Sequence, residues 1–187
     1  VHTAVIYGID SCLVTVEADI SNGMPVFDMV GFLAAEVRES RDRVRTALKN
    51  CGYELPVKRI TVNLSPASIR KSGSGFDLPV AIAVLSAMEA VKKERLDNIL
   101  MVGEITLDGK ITGVSGVLSM VLKAKEVGKT VCIVPGDNYQ EACLVPGIEV
   151  IGAYHIRQVM EYLDTGQYEK PDPREMPDRD NKKICDF

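Results

Sequence analysis

The run LPVAIAVLSAMEAV, at 78–91, restricts the fold more than any other stretch of this chain. Its spacing is helical, yet apolar residues occupy nearly every side of the spiral. A helix apolar all round cannot lie on a surface. It must be central, with other elements covering it on all flanks. The 187 residues permit this. A domain of about 160 residues plus a tail buries a sizeable core. Hydrophobic residues make up 46% and charged residues 26%, so such a core has both filling and a polar skin.

The rest of the chain offers strands and helices to surround that run. Residues 3–7 and 12–20 read as strands joined by the turn GIDS. In CLVTVEADI, the residues Val14, Val16, Ala18 and Ile20 share one face. A third strand at 24–30 follows the turn Ser21-Asn22-Gly23, and the three are expected to form an antiparallel meander. Residues 34–51 read as a helix whose inward stripe is Val37, Arg41, Val44, Leu48 and Cys51. Its polar stripe is Arg38, Asp42, Arg45 and Lys49, and Gly52 ends it. A short strand covers 59–64. Strands at 99–103 and 105–107 lead into Asp108-Gly109, a two-residue hairpin signal between ITL and KIT. A helix at 117–127 ends at Gly128, and a strand at 131–134 ends at Pro135. A helix at 138–144, a strand at 149–151 and a helix at 155–163 follow. After Thr165 the composition changes to prolines and charges of both signs, which cannot bury enough apolar surface to fold alone. The expected division is a domain over 1–165 and a charged linker over 166–187.

Composition narrows the function classes. The net charge of −4 gives no global field for nucleic acid, although a local basic patch can still supply one. No apolar run reaches the roughly 18 residues of a membrane span, and no leader pattern opens the sequence. The cysteines Cys12, Cys51, Cys132, Cys143 and Cys185 are odd in number, widely spaced and without a CxxC. They read as small apolar fillers of a reduced, cytoplasmic protein. With only His2 and His155 and no ligand spacing, no metal site is expected.

The stretch KSGSGFDLP, at 71–79, looks like several things at once. A phosphate loop needs GxxxxGK[ST] between a strand and a helix. The single GK[ST] is Gly128-Lys129-Thr130; it lies between a helix and a strand, and position 123 is lysine rather than glycine. Gly73, Ser74 and Gly75 do precede a helix, but Asp77 at the expected N-cap would satisfy its N–H groups and repel a phosphate. Pro79 suits the first helical turn. The nucleophile motif GxSxG fails around Ser74, where Ser72 and Phe76 hold the glycine positions. A Ser–Lys dyad remains open on composition, from Ser65, Ser68, Ser72 or Ser74 with Lys71, Lys123 or Lys125.

Two segments resemble the proteolytic domain of Lon-type proteases: KSGSGFDLPVAIAVLSAM and MVGEITLDGKITGVSGVLSMVLKAKEVGKTVCIVP. The resemblance places the family's nucleophilic serine at Asp77 and its partner lysine at Leu118. Both halves of the dyad are therefore replaced by residues that cannot do that chemistry. A longer, collinear resemblance covers GID-x-x-LVTVEADISNGMPVFDMVG and VRESRDRVRTALKNCGYELPVKRITVNLSPASIRKSGSGFDLPVAIAVL. It is to the N-terminal domain of magnesium-chelatase-like AAA+ ATPases of the ComM/YifB type. It implies an α+β fold of the ribosomal S5 domain 2-like type, a mixed sheet packed with helices in a Lon-like topology. It implies a non-catalytic domain with no cofactor of its own, followed beyond Asp186-Phe187 by an AAA+ module that takes ATP and magnesium.

The implied partners are that module, sister subunits of a hexamer and DNA, with no membrane. The implied role is assembly, regulation or DNA engagement; the alternative is a Lon-like serine peptidase with a displaced dyad. Candidate contacts follow. The loop Lys71, Ser72, Gly73, Ser74, Gly75, Phe76 and Asp77 is a candidate interaction surface, with Phe76 and Leu78 as anchors. Arg38, Arg45, Lys49, Lys58, Arg59 and Arg70 are candidate DNA-phosphate contacts. The plainer account of that basic set is a solvated face with local ion pairs such as Glu39 with Arg43. No aromatic residue interleaves with it, so any DNA binding would be backbone-directed and salt-sensitive.

Overall fold

The computed structural model describes residues 1–8 and 10–170. It is an α+β fold built on one mixed seven-stranded sheet. The elements run β1 His2–Tyr7, β2 Asp10–Ser21, β3 Val26–Val30, α1 Ala35–Asn50, β4 Arg59–Ser65 and α2 Asp77–Ala87. Then come β5 Ile99–Met101, β6 Glu104–Ile105, β7 Ile111–Thr112, α3 Val117–Glu126, β8 Val131–Pro135, α4 Tyr139–Ala142, β9 Glu149–Ala153 and α5 Ile156–Thr165. The sheet order is β3-β4-β2-β1-β5-β8-β9, and β6 pairs with β7 as a separate hairpin. The charged segment expected as a linker lies, from residue 171 on, outside the described residues.

Strand alternation builds two cores, one on each side of the sheet. Val5, Val14, Val16, Ile60, Val62, Leu64, Ile133 and Ile151 point to one side and pack with α1, α2 and α5. Ala4, Leu100, Cys132, Val134 and Val150 point to the other and pack with α3 and α4. As its composition requires, α2 lies in the middle, and every residue from Asp77 to Ser86 is buried. No helix among the described residues is long and apolar enough to cross a membrane.

Four local expectations are corrected. First, β3 does not extend a meander with β2. It pairs in parallel with β4, which lies between them, while β4 runs antiparallel to β2 over seven residue pairs. The sixteen-residue α1 is a crossover that returns the chain beside β3, and β4 inserts there. Second, α2 stops at Ala87 rather than at 91. Glu89 adopts φ +62°, and Ala90 N donates to Leu85 O at 2.9 Å while Glu89 N donates to Ser86 O at 3.0 Å. This is the helix-stop geometry usually given to glycine, and no glycine announced it.

Third, the buried stripe of α1 is Val37, Ser40, Val44, Ala47 and Leu48. Ser40 takes the inward place expected of Arg41, whose guanidinium is exposed against Asp42 at 3.1 Å. Fourth, the β6–β7 turn spans three residues. Gly109 N donates to Thr106 O at 2.9 Å, Thr106 N donates to Lys110 O at 2.9 Å, and Gly109 takes φ +87°. Asn50 Nδ2 reaches Leu107 O at 2.8 Å and straps this hairpin to the end of α1.

Candidate functional site

Residues 72–76 of the glycine-rich stretch at 71–77 form one wall of an open cleft of about 280 Å³. Val114, Ser115 and Met120 line it from α3 and the turn before it, and Ala4 and Ile6 of β1 contribute the floor. The two segments that resemble Lon-type proteases thus meet across this cleft. Phe76 is buried and anchors the loop. Gly75 is held by a hydrogen bond from Gly103 N to its carbonyl at 3.0 Å. An added Cβ there would sit 2.6 Å from Val102 Cγ2. Gly73 N donates to Glu36 Oε1 at 3.2 Å.

Both ends of the stretch are inaccessible, which corrects their place in an interaction surface. Lys71 is 0% exposed. Its Nζ donates to the Pro66 carbonyl, and its backbone bonds to Phe32 O at 2.8 Å and from Ala34 N at 2.9 Å. Burial lowers its pKa, because the charged ammonium is taken out of water. Asp77 is also 0% exposed, and it is not a helix cap. Its Oδ2 accepts from Arg43 Nε at 2.9 Å and its Oδ1 from Arg43 Nη2 at 3.1 Å. Oδ2 also accepts from Ile105 N at 3.1 Å. The first-turn position turns the carboxylate away from the helix's own N–H groups and toward α1, where the guanidinium fork outcompetes a cap. The bond to Asp77 raises the Arg43 pKa further. The expected Glu39–Arg43 pair is present only at 3.8 Å, secondary to this one.

Among the described residues no base lines the cleft. Leu118 is half-buried, and its N–H donates to Glu141 Oε1 at 3.0 Å. Neither Asp77 nor Leu118 lines the cleft, and its lining holds serines at 72, 74 and 115 but no lysine, histidine or carboxylate. The other lysines proposed for a dyad are engaged elsewhere. Lys123 Nζ meets Glu126 at 2.6 Å, and Lys125 Nζ donates to Pro146 O at 2.6 Å. The Gly128-Lys129-Thr130 triplet is a helix stop: Gly128 takes φ +79° and Lys129 N donates to Ala124 O at 2.9 Å. No phosphate cradle is formed there.

Sequence reasoning missed the residues that position the turn before α3. Asn138 grips Val114 as a second strand would, accepting from its N–H and donating to its carbonyl, both at 2.9 Å. Asn138 also donates to Glu141 Oε2 at 3.1 Å. An Asn three residues ahead of a Glu gives no sign of which loop they hold.

The basic residues divide into groups. Arg38, Arg45 and Lys49 are exposed on one side of α1, and Arg45 shares a groove of about 180 Å³ with Lys58. Arg70 lies beside Glu36, whose carboxyl is held below its usual value by its own and Gly73's N–H groups, with Arg70 adding to the effect. Arg59 is separated from the rest. It projects from the opposite face of the sheet and pairs with Asp28 at 3.0 Å.

Residues 16–138 match the family described as subunit ChlI of Mg-chelatase. The chain belongs to the ChlI family. It is 47% identical over 156 residues to the uncharacterized protein Rv2897c of Mycobacterium tuberculosis, covering 83% of this chain and 31% of that one. It is 41% identical over 181 residues to the uncharacterized protein YifB of Escherichia coli, covering 96% and 35%. It is 39% identical over 171 residues to competence protein ComM of Haemophilus influenzae, covering 91% and 33%. The chain thus spans about a third of the length of these ChlI-family relatives. A more distant similarity, 26% over 167 residues, is to Lon protease 1 of Bacillus subtilis.

Proposed function

We propose that this chain is a non-catalytic domain of a larger magnesium-chelatase-like AAA+ ATPase. The observation that carries this reading is the cleft at 72–76. Its walls are the two segments that resemble Lon-type proteases and it carries serine hydroxyls, but among the described residues no group that could take a serine's proton lines it. ATP and magnesium would be held by the AAA+ module, since the single GK[ST] triplet of this sequence, Gly128-Lys129-Thr130, is consumed as a helix stop. The domain's partners would be that module and sister subunits in a hexamer. A serine-directed fluorophosphonate should leave the chain unlabelled under conditions that label an active serine hydrolase. Stoichiometric labelling of Ser72, Ser74 or Ser115 would establish the peptidase reading instead.

We further infer that the domain engages DNA phosphates through α1. Arg38, Arg45 and Lys49 share one exposed helix side, and Lys58 adds a fourth cation beside Arg45. Support also comes from the likeness to a protein named for competence. Fluorescence anisotropy with single-stranded, duplex and branched DNA at about 50 and 200 mM salt tests this. Binding should weaken steeply with salt and weaken again in Arg38→Ala/Arg45→Ala. The same affinity in that double variant would leave assembly and regulation as the role.

A further inference from the structure

We propose that the outer edge of β3 is a docking site for an extended peptide strand carrying a basic residue between apolar ones. The strand is the outermost of the sheet, and among the described residues its backbone pairs only with β4. Alternate residues of such a strand direct their N–H and C=O groups away from the sheet. That row is a template for one more strand.

The side chains along this edge are unusual for an unprotected one. Val26, Asp28 and Val30 share a face, by the two-residue period of a strand. Phe27 and Met29 point the other way, into or against the core. Val26 and Val30 remain exposed on the outer face, Val30 at 51%. Met24 and Phe32, at 83% and 54% exposed, flank the strand at its two ends. The helices on that face reach no further toward this edge than β2, whose Leu13 packs against their core, and no residue of β3 or β4 belongs to that core. An edge is normally protected by charge, shortness or a bulge. Here the single charge, Asp28, is partly met by Arg59, and apolar side chains dominate.

The charge pattern selects the occupant. In register, Asp28 lies beside Thr61 and then Asp19, and Val30 lies beside Asn63 and then Glu17. Three carboxylates therefore share this open face with one arginine. A second copy of the chain, paired antiparallel about Asp28, would set Asp28 against Asp28, which is destabilising. A strand with lysine or arginine beside Asp28 and apolar residues beside Val26 and Val30 satisfies both the charge and the apolar surface. Backbone pairing then supplies affinity, and the alternate side chains supply selectivity.

The probe is a synthetic peptide of about nine residues, with alternating valine and threonine and lysine replacing the central valine. A second peptide carries glutamate at that position. Binding to the intact chain is followed by anisotropy and by amide NMR shifts. The lysine peptide should bind at least about tenfold more tightly than the glutamate peptide, a factor worth 1.4 kcal/mol, with shifts concentrated at 26–30. Asp28→Lys should reverse the preference, and Val30→Lys should weaken both peptides while the circular dichroism stays unchanged. The proposal is overturned if the lysine peptide does not bind, if the preference survives Asp28→Lys, or if sedimentation shows the edge closed in a homodimer.

Discussion

Replacing Asp77 by alanine distinguishes a buried ion pair from a helix cap. The wild-type carboxylate is 0% exposed and accepts three hydrogen bonds, two from Arg43 and one from Ile105 N. Alanine leaves a guanidinium facing a space with no counter-charge and a buried N–H with no acceptor. Breaking a buried pair by removing one partner costs about 3–5 kcal/mol. Arg43 is 26% exposed, so water can take up part of its lost solvation. That places the expected loss near the lower end, at about 3 kcal/mol. Urea unfolding of Asp77→Ala should therefore show a much lower midpoint at an unchanged slope. In Arg43→Met/Asp77→Ala the loss should be smaller than the sum of the two single losses by at least about 1 kcal/mol, because both delete the same interaction. A loss of about 1 kcal/mol or less, the size of a missing cap, or strict additivity in the cycle, would refute the reasoning.

Three further outcomes follow from particular environments. Burial pushes the Cys132 thiol up to about 12, whereas Cys143 is exposed; at pH 8 a disulfide reagent should modify Cys143 rapidly and Cys132 only on unfolding, as mass spectrometry of labelled peptides would show. Burial, reinforced by the nearby Lys129, lowers the pKa of His2. The unfolded chain then takes up the proton first, so stability from neutral His2 is complete above about 6.5 and is lost as pH falls toward the folded value. An imidazole NMR midpoint below 6.5, and a flatter stability profile between pH 7 and 5 in His2→Asn, check this. Gly116 takes φ +79°, and its Cβ position is already occupied by Ile6 Cδ1; Gly116→Ala should cost about 2 kcal/mol, read as a lower unfolding midpoint, with a distorted cleft beside it.

Local pattern carried most of the element positions. Ile60, Val62 and Leu64 alternate, so their strand and its buried face are readable without the fold. The two segments that wall the cleft were recognisable as a pair through their resemblance to Lon-type proteases, which sets Asp77 and Leu118 at the positions of the dyad. The role of Asp77 was not readable. A carboxylate at the start of a helix has a local explanation as a cap, and the arginine that claims it lies 34 residues earlier. Lys71 misled in the same way: at the start of a glycine-rich loop it reads as part of an interaction surface, yet its Nζ folds back onto Pro66.

The sequence by itself determined that the segment at the heart of the molecule is α2, because an all-apolar helix has no stable place except the interior. It also determined which faces of β2 and β4 turn inward, because strand periodicity admits only two choices. Only the tertiary structure decided that β4 separates β2 from β3, that α1 hands Arg43 to Asp77, and that β3 is left with an open apolar edge. Those outcomes depend on which distant segments lie side by side. Periodicity, being a property of neighbours a few residues apart, cannot encode that choice; it is made by the crossover of α1 and the burial it achieves against α2.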